Sequence, residues 1–137
     1  TGLFITLAFW DKNFTENLLY QKLLNDKMST DLGYVYENIV AQMLKASGHK
    51  LYFYGKYTDK SEDRMEIDFL ISKPVTTSRH NISPIEVKSG NKFTLTSLKK
   101  CIAKYGNQLS TPYVVYDKDL KEEDGIVYLP LYMTPLL

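Results

Sequence analysis

The hydrophobic pattern of the chain changes its period at Gly48, and this change restricts the fold more than any other feature. From about Gly33 to Ser47, apolar side chains recur every three or four residues, as on one face of an amphipathic helix, and Gly48 follows as a helix stop. Residues 51–57 then alternate and are rich in aromatic side chains, as in a half-buried strand. A chain that combines both periods is expected to pack helices on a sheet, so the sequence predicts an α/β domain.

The remaining segments extend this pattern into a meander of three strands followed by a helix and two more strands. Short apolar runs indicate strands, and a return of helical spacing indicates the helix. A charged stretch between the last two strands is interpreted as an acidic turn. In chain order these predicted elements are the strands Met65–Ile71 and Ile82–Val87, the helix Thr94–Tyr105, the strand Pro112–Tyr116, the turn Asp117–Gly125 and the strand Ile126–Leu129.

The first part of the sequence predicts a short amphipathic helix from Thr15 to about Asp26, with a break over Met28–Leu32. The chain begins at Thr1 inside an apolar segment, so we expect it to come from a longer polypeptide. The expected organisation is a helical segment over residues 1–32, which joins a missing upstream part, and an α/β domain over residues 33–137.

Composition limits what the chain can do and where it works. Its 137 residues with 44% apolar content suffice for one core, and a net charge of +1 excludes attraction of the whole molecule to nucleic acid or anionic lipid. The single cysteine, Cys101, cannot form an internal disulfide, so a cytoplasmic location is expected. The apolar opening Leu3–Trp10 is too short to cross a bilayer and has no basic segment before it, so no membrane partner is predicted.

Acidic side chains interrupt two of the predicted strands, and they are the candidate functional residues. Asp68 lies within EIDFLI and Glu86 within PIEVKSG. A carboxylate in an apolar strand needs a partner or a cation, because burying an unpaired charge is costly. Lys88 follows Glu86 at i+2, so both side chains are expected on the same face of the strand.

Adjacent strands would bring Asp68 and Glu86 together as hard oxygen ligands for Mg²⁺ or Mn²⁺. In phosphodiester hydrolysis such an ion would polarise the phosphate and activate a water molecule, while Lys88 would stabilise developing charge. Glu37, on the preceding helix, is the candidate fourth member of the site. The alternative reading is that these residues are surface charges or structural ion pairs, which strand ends commonly carry.

Lysines near the predicted helix Thr94–Tyr105 are candidates for contacts with nucleic-acid phosphates. The alternative is an ordinary solvated helix face, since helix surfaces are commonly rich in lysine. The candidate residues are Lys88, Lys92, Lys99, Lys100 and Lys104.

The tyrosines, the histidines and the cysteine give little indication of a further catalytic or binding site. Most tyrosines fall in strands or helix stripes and are expected in the core. His49, His80 and Cys101 share no zinc-ligand spacing, and Tyr105 and Gln108 match the polar residues of some exonucleases only loosely. The chain has no P-loop motif, so no nucleotide site is predicted in it.

The segments ENIVAQML, MEIDFLI and PIEVKSG, followed by a lysine-rich helix, resemble the C-terminal domain of unknown function that ends a family of prokaryotic AAA-type ATPases. That domain is similar in turn to the PD-(D/E)XK nuclease superfamily. The likeness covers almost the whole chain. It departs from the superfamily motif at Ile67, which stands where proline precedes the aspartate.

This resemblance implies a restriction-endonuclease-like core, with a mixed sheet of about five strands and flanking helices. It implies acidic site positions at Asp68 and Glu86, the lysine at Lys88 and the helix glutamate at Glu37. The implied partners are the upstream ATPase part and nucleic acid. Because the superfamily includes inactive members, two functions stay open, a metal-dependent nuclease domain and a non-catalytic regulatory or interaction module of the ATPase.

Overall fold

The protein is described from a computed structural model, and the described residues are 29–58, 60, 64–72, 82–90 and 92–137. Within them lie two α-helices, α1 (Ser29–Ala46) and α2 (Thr96–Tyr105), and 3₁₀ turns over Gly106–Gln108 and Leu131–Leu136. The strands are β1 (Tyr52–Lys56), β2 (Met65–Ser72), β3 (Ile82–Val87), β4 (Tyr113–Tyr116), β5 (Lys121–Glu123) and β6 (Ile126–Pro130).

These strands form one mixed sheet in the order β1-β2-β3-β4-β6-β5. The first three strands make the predicted antiparallel meander, and β4 pairs parallel with both β3 and β6. Strand β5 pairs antiparallel with β6 at the far edge. The α/β prediction is confirmed, with six strands in place of about five.

Strand β5 accounts for the extra strand. The sequence predicts an acidic turn there, but Lys121–Glu123 is extended and pairs with β6, and the turn is confined to Asp124 and Gly125. All three strand residues are exposed, so no apolar alternation marks the strand in the sequence.

Helix α1 begins earlier than predicted, at Ser29 in place of Gly33, so the break expected over Met28–Leu32 is wrong for the part from Ser29 onward. Its end agrees with the sequence. Gly48 adopts a φ of 92°, and its N–H donates to the Lys45 carbonyl while the His49 N–H donates to that of Leu44. The helix predicted at Thr15–Asp26 lies outside the described residues, as does the apolar opening Leu3–Trp10.

The sheet separates two apolar cores, one under each helix. The α1-side core contains Val40 and Leu44 of the helix, and the α2-side core contains Leu98 and Cys101. The strand residues of the α1-side core are Ile71, Ile85, Val87, Tyr113 and Val115. Those of the α2-side core are Met65, Ile67, Val114, Tyr116, Ile126 and Tyr128.

Strand β2 changes face in its middle, because it carries a β-bulge. Tyr52 of β1 pairs with Leu70 and Tyr54 pairs with Ile67, so Asp68 and Phe69 together oppose the single residue Phe53. Ile67 therefore packs in the α2-side core, whereas Phe69, two residues later, packs against the α1-side core. The bulge lies at the acidic residue that the sequence predicts as a site member.

Candidate functional site

An acidic pocket lies where β2 and β3 separate, between the N-terminal half of α1 and the first turn of α2. Its volume is about 460 Å³. It contains four carboxyl groups and one lysine, and its lining residues are Gly33, Tyr34, Glu37, Glu66, Asp68, Glu86, Lys88 and Ser97. The structure thus brings the four sequence-predicted site residues Glu37, Asp68, Glu86 and Lys88 to one place.

The backbone creates this pocket by ending a strand pairing early. The β2–β3 register runs from Ser72↔Ile82 to Phe69↔Ile85 and stops there. Beyond this point Val87 N–H donates to Asp68 Oδ2 at 2.7 Å, so a carboxylate takes the place of a strand carbonyl. This hydrogen bond fixes Asp68 at the gap between the two strands.

Glu86 lies on the opposite side of β3 from Ile85 and Val87, which face α1. It is 5% exposed, and it pairs through the backbone with Val114 of β4. Lys88 N–H donates to the Val115 carbonyl, so the residue after the strand is still held by β4. Because both residues are paired through their backbone with β4, the positions of Glu86 and Lys88 relative to each other are fixed.

The two side chains form an ion pair, with 2.7 Å between Lys88 Nζ and Glu86 Oε1. This contact confirms that positions i and i+2 share a face. The other oxygen, Glu86 Oε2, is buried and has no hydrogen-bond partner among the described residues. Burying a carboxylate oxygen without a hydrogen-bond donor costs free energy, so a cation bound at this atom would be stabilising.

Burial and mutual repulsion raise the pKa values of Glu37, Asp68 and Glu86. Burial, followed by the Asp68 charge, raises the pKa of Glu86 to about 7, although Lys88 opposes the shift. Burial also raises the pKa of Asp68, against the hydrogen bond from Val87 N–H. The pKa of Glu37 is raised by burial and then by Asp68. The single positive charge of Lys88 therefore does not neutralise the acidic groups of the pocket.

These donors fit a hard divalent cation by their chemistry. Carboxylate oxygens are the ligands that Mg²⁺ and Mn²⁺ prefer, and an unpaired buried Oε2 stands among them. The arrangement is not a preformed ligand shell, because no three His, Cys, Asp or Glu groups in the described ranges are close enough together to hold an ion. Lys88 provides the positive charge next to Glu86 instead.

Sequence reasoning missed Glu66 and Ser97. Glu66 lies on β2 before the bulge and lines the pocket, and its backbone N–H donates to Ser97 Oγ at the start of α2 over 3.4 Å. The signal for Glu66 was its position two residues before Asp68, since i and i+2 on a strand share a side. Nothing in the sequence alone marks Ser97.

The candidate nucleic-acid lysines, apart from Lys88, do not line the pocket. Lys99 lies near Glu123 at the β5 edge, whereas Lys104 Nζ lies 5.2 Å from the Tyr105 ring centre, beside β1. Lys100 donates to the Arg64 carbonyl and Lys92 is exposed. Lys99 and Lys104 therefore lie toward opposite edges of the sheet, and the role of the four lysines in binding stays a prediction.

Tyr105 and Gln108 line a separate small pocket with Cys101 and are away from the acids. His49 is on the turn after α1, and His80 lies outside the described residues. No described helix is long and apolar enough to cross a bilayer.

Residues 32–133 match the family described as Domain of unknown function (DUF4143). Since the match covers most of the chain, the chain belongs to this family. No curated protein and no solved structure matches it.

Proposed function

We propose that this chain is the C-terminal, nuclease-like domain of an AAA-type ATPase, which binds a divalent metal in the acidic pocket and cleaves phosphodiester bonds of nucleic acid. The observation that carries the proposal is the convergence of Glu37, Asp68, Glu86 and Lys88 on one pocket with Glu86 Oε2 unpaired. The bulged β2 and the early end of its pairing with β3 are consistent with a PD-(D/E)XK-like core, which the proposal includes.

Each residue has a separate part in this proposal. Asp68, held by Val87 N–H, and Glu86, through Oε2, supply metal ligands, and Glu37 completes the acidic side of the pocket. A bound Mg²⁺ or Mn²⁺ would polarise the phosphate and lower the pKa of a bound water. Lys88, whose ammonium lies 2.7 Å from Glu86 Oε1, would supply the positive charge that stabilises negative charge developing on the phosphate.

A second function is favoured by a different observation. The Lys88–Glu86 ion pair already gives the pocket an internal cation, and the described acids do not form a ready ligand shell. The same domain would then be a non-catalytic interaction or regulatory module of the ATPase with a vestigial site.

The test is cleavage of single-stranded and double-stranded DNA and RNA with Mg²⁺ or Mn²⁺, compared with EDTA. We expect metal-dependent cleavage by the wild type, its loss in Asp68→Ala and Lys88→Met, and no change in Glu123→Gln, which removes an exposed acid on β5. Binding of Mn²⁺ by calorimetry is measured on the same variants. If the wild type neither binds the ion nor cuts any substrate, the nuclease proposal is wrong and the regulatory module is the candidate that is left.

A further inference from the structure

The acidic pocket holds more negative charge than its own lysine balances. Four carboxyl groups and the ammonium of Lys88 line it. The side chain of Glu86 is 7% exposed and Lys88 donates to its Oε1, but its Oε2 is buried without a hydrogen-bond partner among the described residues. A buried carboxylate oxygen is best stabilised by a donor that carries positive charge. The pocket therefore favours a cationic ligand.

The spacing of the acids favours a cation that is larger than a metal ion. They come from three elements, Glu37 from α1, Glu66 and Asp68 from β2, and Glu86 from β3, and no three such groups of the described residues are close enough to share an ion. Mg²⁺ holds its ligands at about 2.1 Å, so the acids would have to move together around it. A guanidinium has five N–H donors spread over a planar fork, and it can bridge carboxylates that stand apart.

An aromatic ring at the pocket adds a contact that suits a guanidinium in particular. Tyr34 lines the pocket and is 63% exposed, and it lies three residues before Glu37 on α1, so the two side chains are neighbours on the helix surface. Arginine stacks its flat group on aromatic rings, whereas lysine presents a compact, strongly hydrated charge. The ring can therefore cover one face of a guanidinium whose edge donates to the acids.

The charges around the pocket also favour an arginine within a polypeptide over the free amino acid. Free arginine carries a carboxylate, which the four acids would repel. Lys88, the cation among the lining residues, is already in contact with Glu86. An arginine in a chain has a neutral backbone in place of that carboxylate. The volume of about 460 Å³ lies in the range of roughly 300–1,000 Å³ that is typical of sites for organic groups.

We propose that the acidic pocket binds the guanidinium of an arginine side chain from a protein partner, which donates to Glu86 Oε2 and stacks on Tyr34. This inference rests on the second candidate function, the interaction module, and names its ligand. It also gives the pocket a regulatory property, because an arginine bound between Asp68 and Glu86 excludes a divalent ion from the same acids.

The experiment titrates the whole chain in EDTA at pH 8 with a short glycine peptide that is blocked at both ends and has one central arginine, and follows the amide chemical shifts by NMR. We expect binding at the pocket, weaker binding of the same peptide with lysine, and none with citrulline, the neutral isostere. Glu86→Gln and Glu37→Gln should each weaken binding by about tenfold, since each removes a charged acceptor. Tyr34→Ala should weaken it by about threefold.

Glu123→Gln and Tyr132→Ala are the matched controls. They remove an exposed acid and an exposed ring that do not line the pocket, so both should bind the peptide as the wild type does. Equal affinity for the arginine and lysine peptides would overturn the proposal, as would chemical shift changes that survive Glu86→Gln and Glu37→Gln together. Free L-arginine that binds as tightly as the peptide would contradict the protein source.

Competition with Mn²⁺ tests the regulatory part. The peptide should raise the Mn²⁺ concentration needed for half-saturation, and simultaneous binding of both ligands would show that they do not share the acids. Peptide binding in EDTA requires no metal and no cleavage. Peptide binding by a chain that never cuts nucleic acid therefore contradicts only the nuclease proposal, and metal-dependent cleavage by a chain that binds no arginine peptide contradicts only this one.

Discussion

Lys88 and Glu86 form one ion pair at the acidic pocket, and Lys121 and Glu123 form another on β5. Both pairs join residues i and i+2 of a strand, with nitrogen–oxygen distances of 2.7 Å and 2.6 Å. The glutamate side chain is 7% exposed in the first pair and 56% in the second. Lys121 lowers the pKa of Glu123, whereas Glu86, beside its own lysine, has its pKa raised to about 7.

The difference shows that the i, i+2 spacing on a strand produces the ion pair, whereas burial and neighbouring charges decide the pKa of its glutamate. On β5 the solvent stabilises both charges, so the hydrogen bond from Lys121 dominates the pKa of Glu123. In the pocket, burial and the charge of Asp68 outweigh the lysine. A Glu-x-Lys pattern on a strand therefore predicts an ion pair, but a glutamate with a raised pKa only where burial and other acids converge on it.

The largest expected contrast between the pairs is in catalysis. If the pocket is the proposed nuclease site, Lys88→Met should lower the rate of metal-dependent cleavage by roughly 10²–10³-fold, because the transition state loses a partly buried positive charge. Lys121→Met should leave the rate unchanged, since Lys121 does not line the pocket. Single-turnover cleavage rates of both variants measure this contrast, and equal losses would show that the effect of Lys88 is not local.

The second contrast is in the pH dependence of stability without metal. The pKa of Glu86 is raised in the folded state, so its favourable contribution is complete below about pH 4.5 and is lost as the pH rises through about 7. Urea unfolding of the wild type should therefore lose on the order of 2–3 kcal/mol between pH 4.5 and 8 relative to Glu86→Gln.

Glu123→Gln is the control for this measurement. The pKa of Glu123 is lowered, so its contribution has the opposite sign, is present above the unfolded pKa and is lost only in acid. Its profile should match the wild type between pH 5 and 8. A wild-type profile parallel to that of Glu86→Gln would contradict the raised pKa.

A smaller effect on stability separates the two contributions of Asp68, which are its charge and the hydrogen bond that it accepts from Val87 N–H. Asp68→Asn keeps an acceptor oxygen and removes the charge, so we expect stability equal to that of the wild type or higher at neutral pH. Asp68→Leu also leaves the Val87 N–H without its acceptor, at a cost of roughly 1–3 kcal/mol relative to Asp68→Asn. Denaturant midpoints at pH 7 give the comparison, and identical midpoints would mean that water replaces the carboxylate.

The smallest expected effect is that of salt on the exposed pair. Added NaCl should abolish the difference in stability between the wild type and Lys121→Met, because salt screens exposed charges strongly. The loss caused by Lys88→Met should persist at high salt. Thermal unfolding at low and high NaCl distinguishes the pairs, and equal salt sensitivity would indicate that the pocket is as hydrated as β5.

The sequence predicted the parts of the molecule that depend on apolar periodicity and strand geometry. The meander, α2 and the shared face of Glu86 and Lys88 follow from side-chain spacing alone. Strand β5 could not be found this way, since its exposed residues carry no apolar alternation and its pairing depends on β6.

The site was predictable only in part, for a similar reason. Asp68 and Glu86 stand out because they interrupt apolar strands, whereas Glu66 is exposed and reaches the pocket by tertiary placement. The lysines near α2 have helical spacing, but their directions depend on contacts with Arg64, Tyr105 and Glu123, which no local pattern encodes.

Because of the bulge, the number of residues in β2 is constrained as strongly as their apolar character. Met65 and Ile67 fill one core and Ile71 fills the other only because one additional residue stands between them. Deleting residue 68 would rotate one half of the strand and turn apolar side chains toward water. A descendant of this protein can therefore lose the carboxylate of Asp68 by substitution, but it cannot shorten the strand there without losing the architecture.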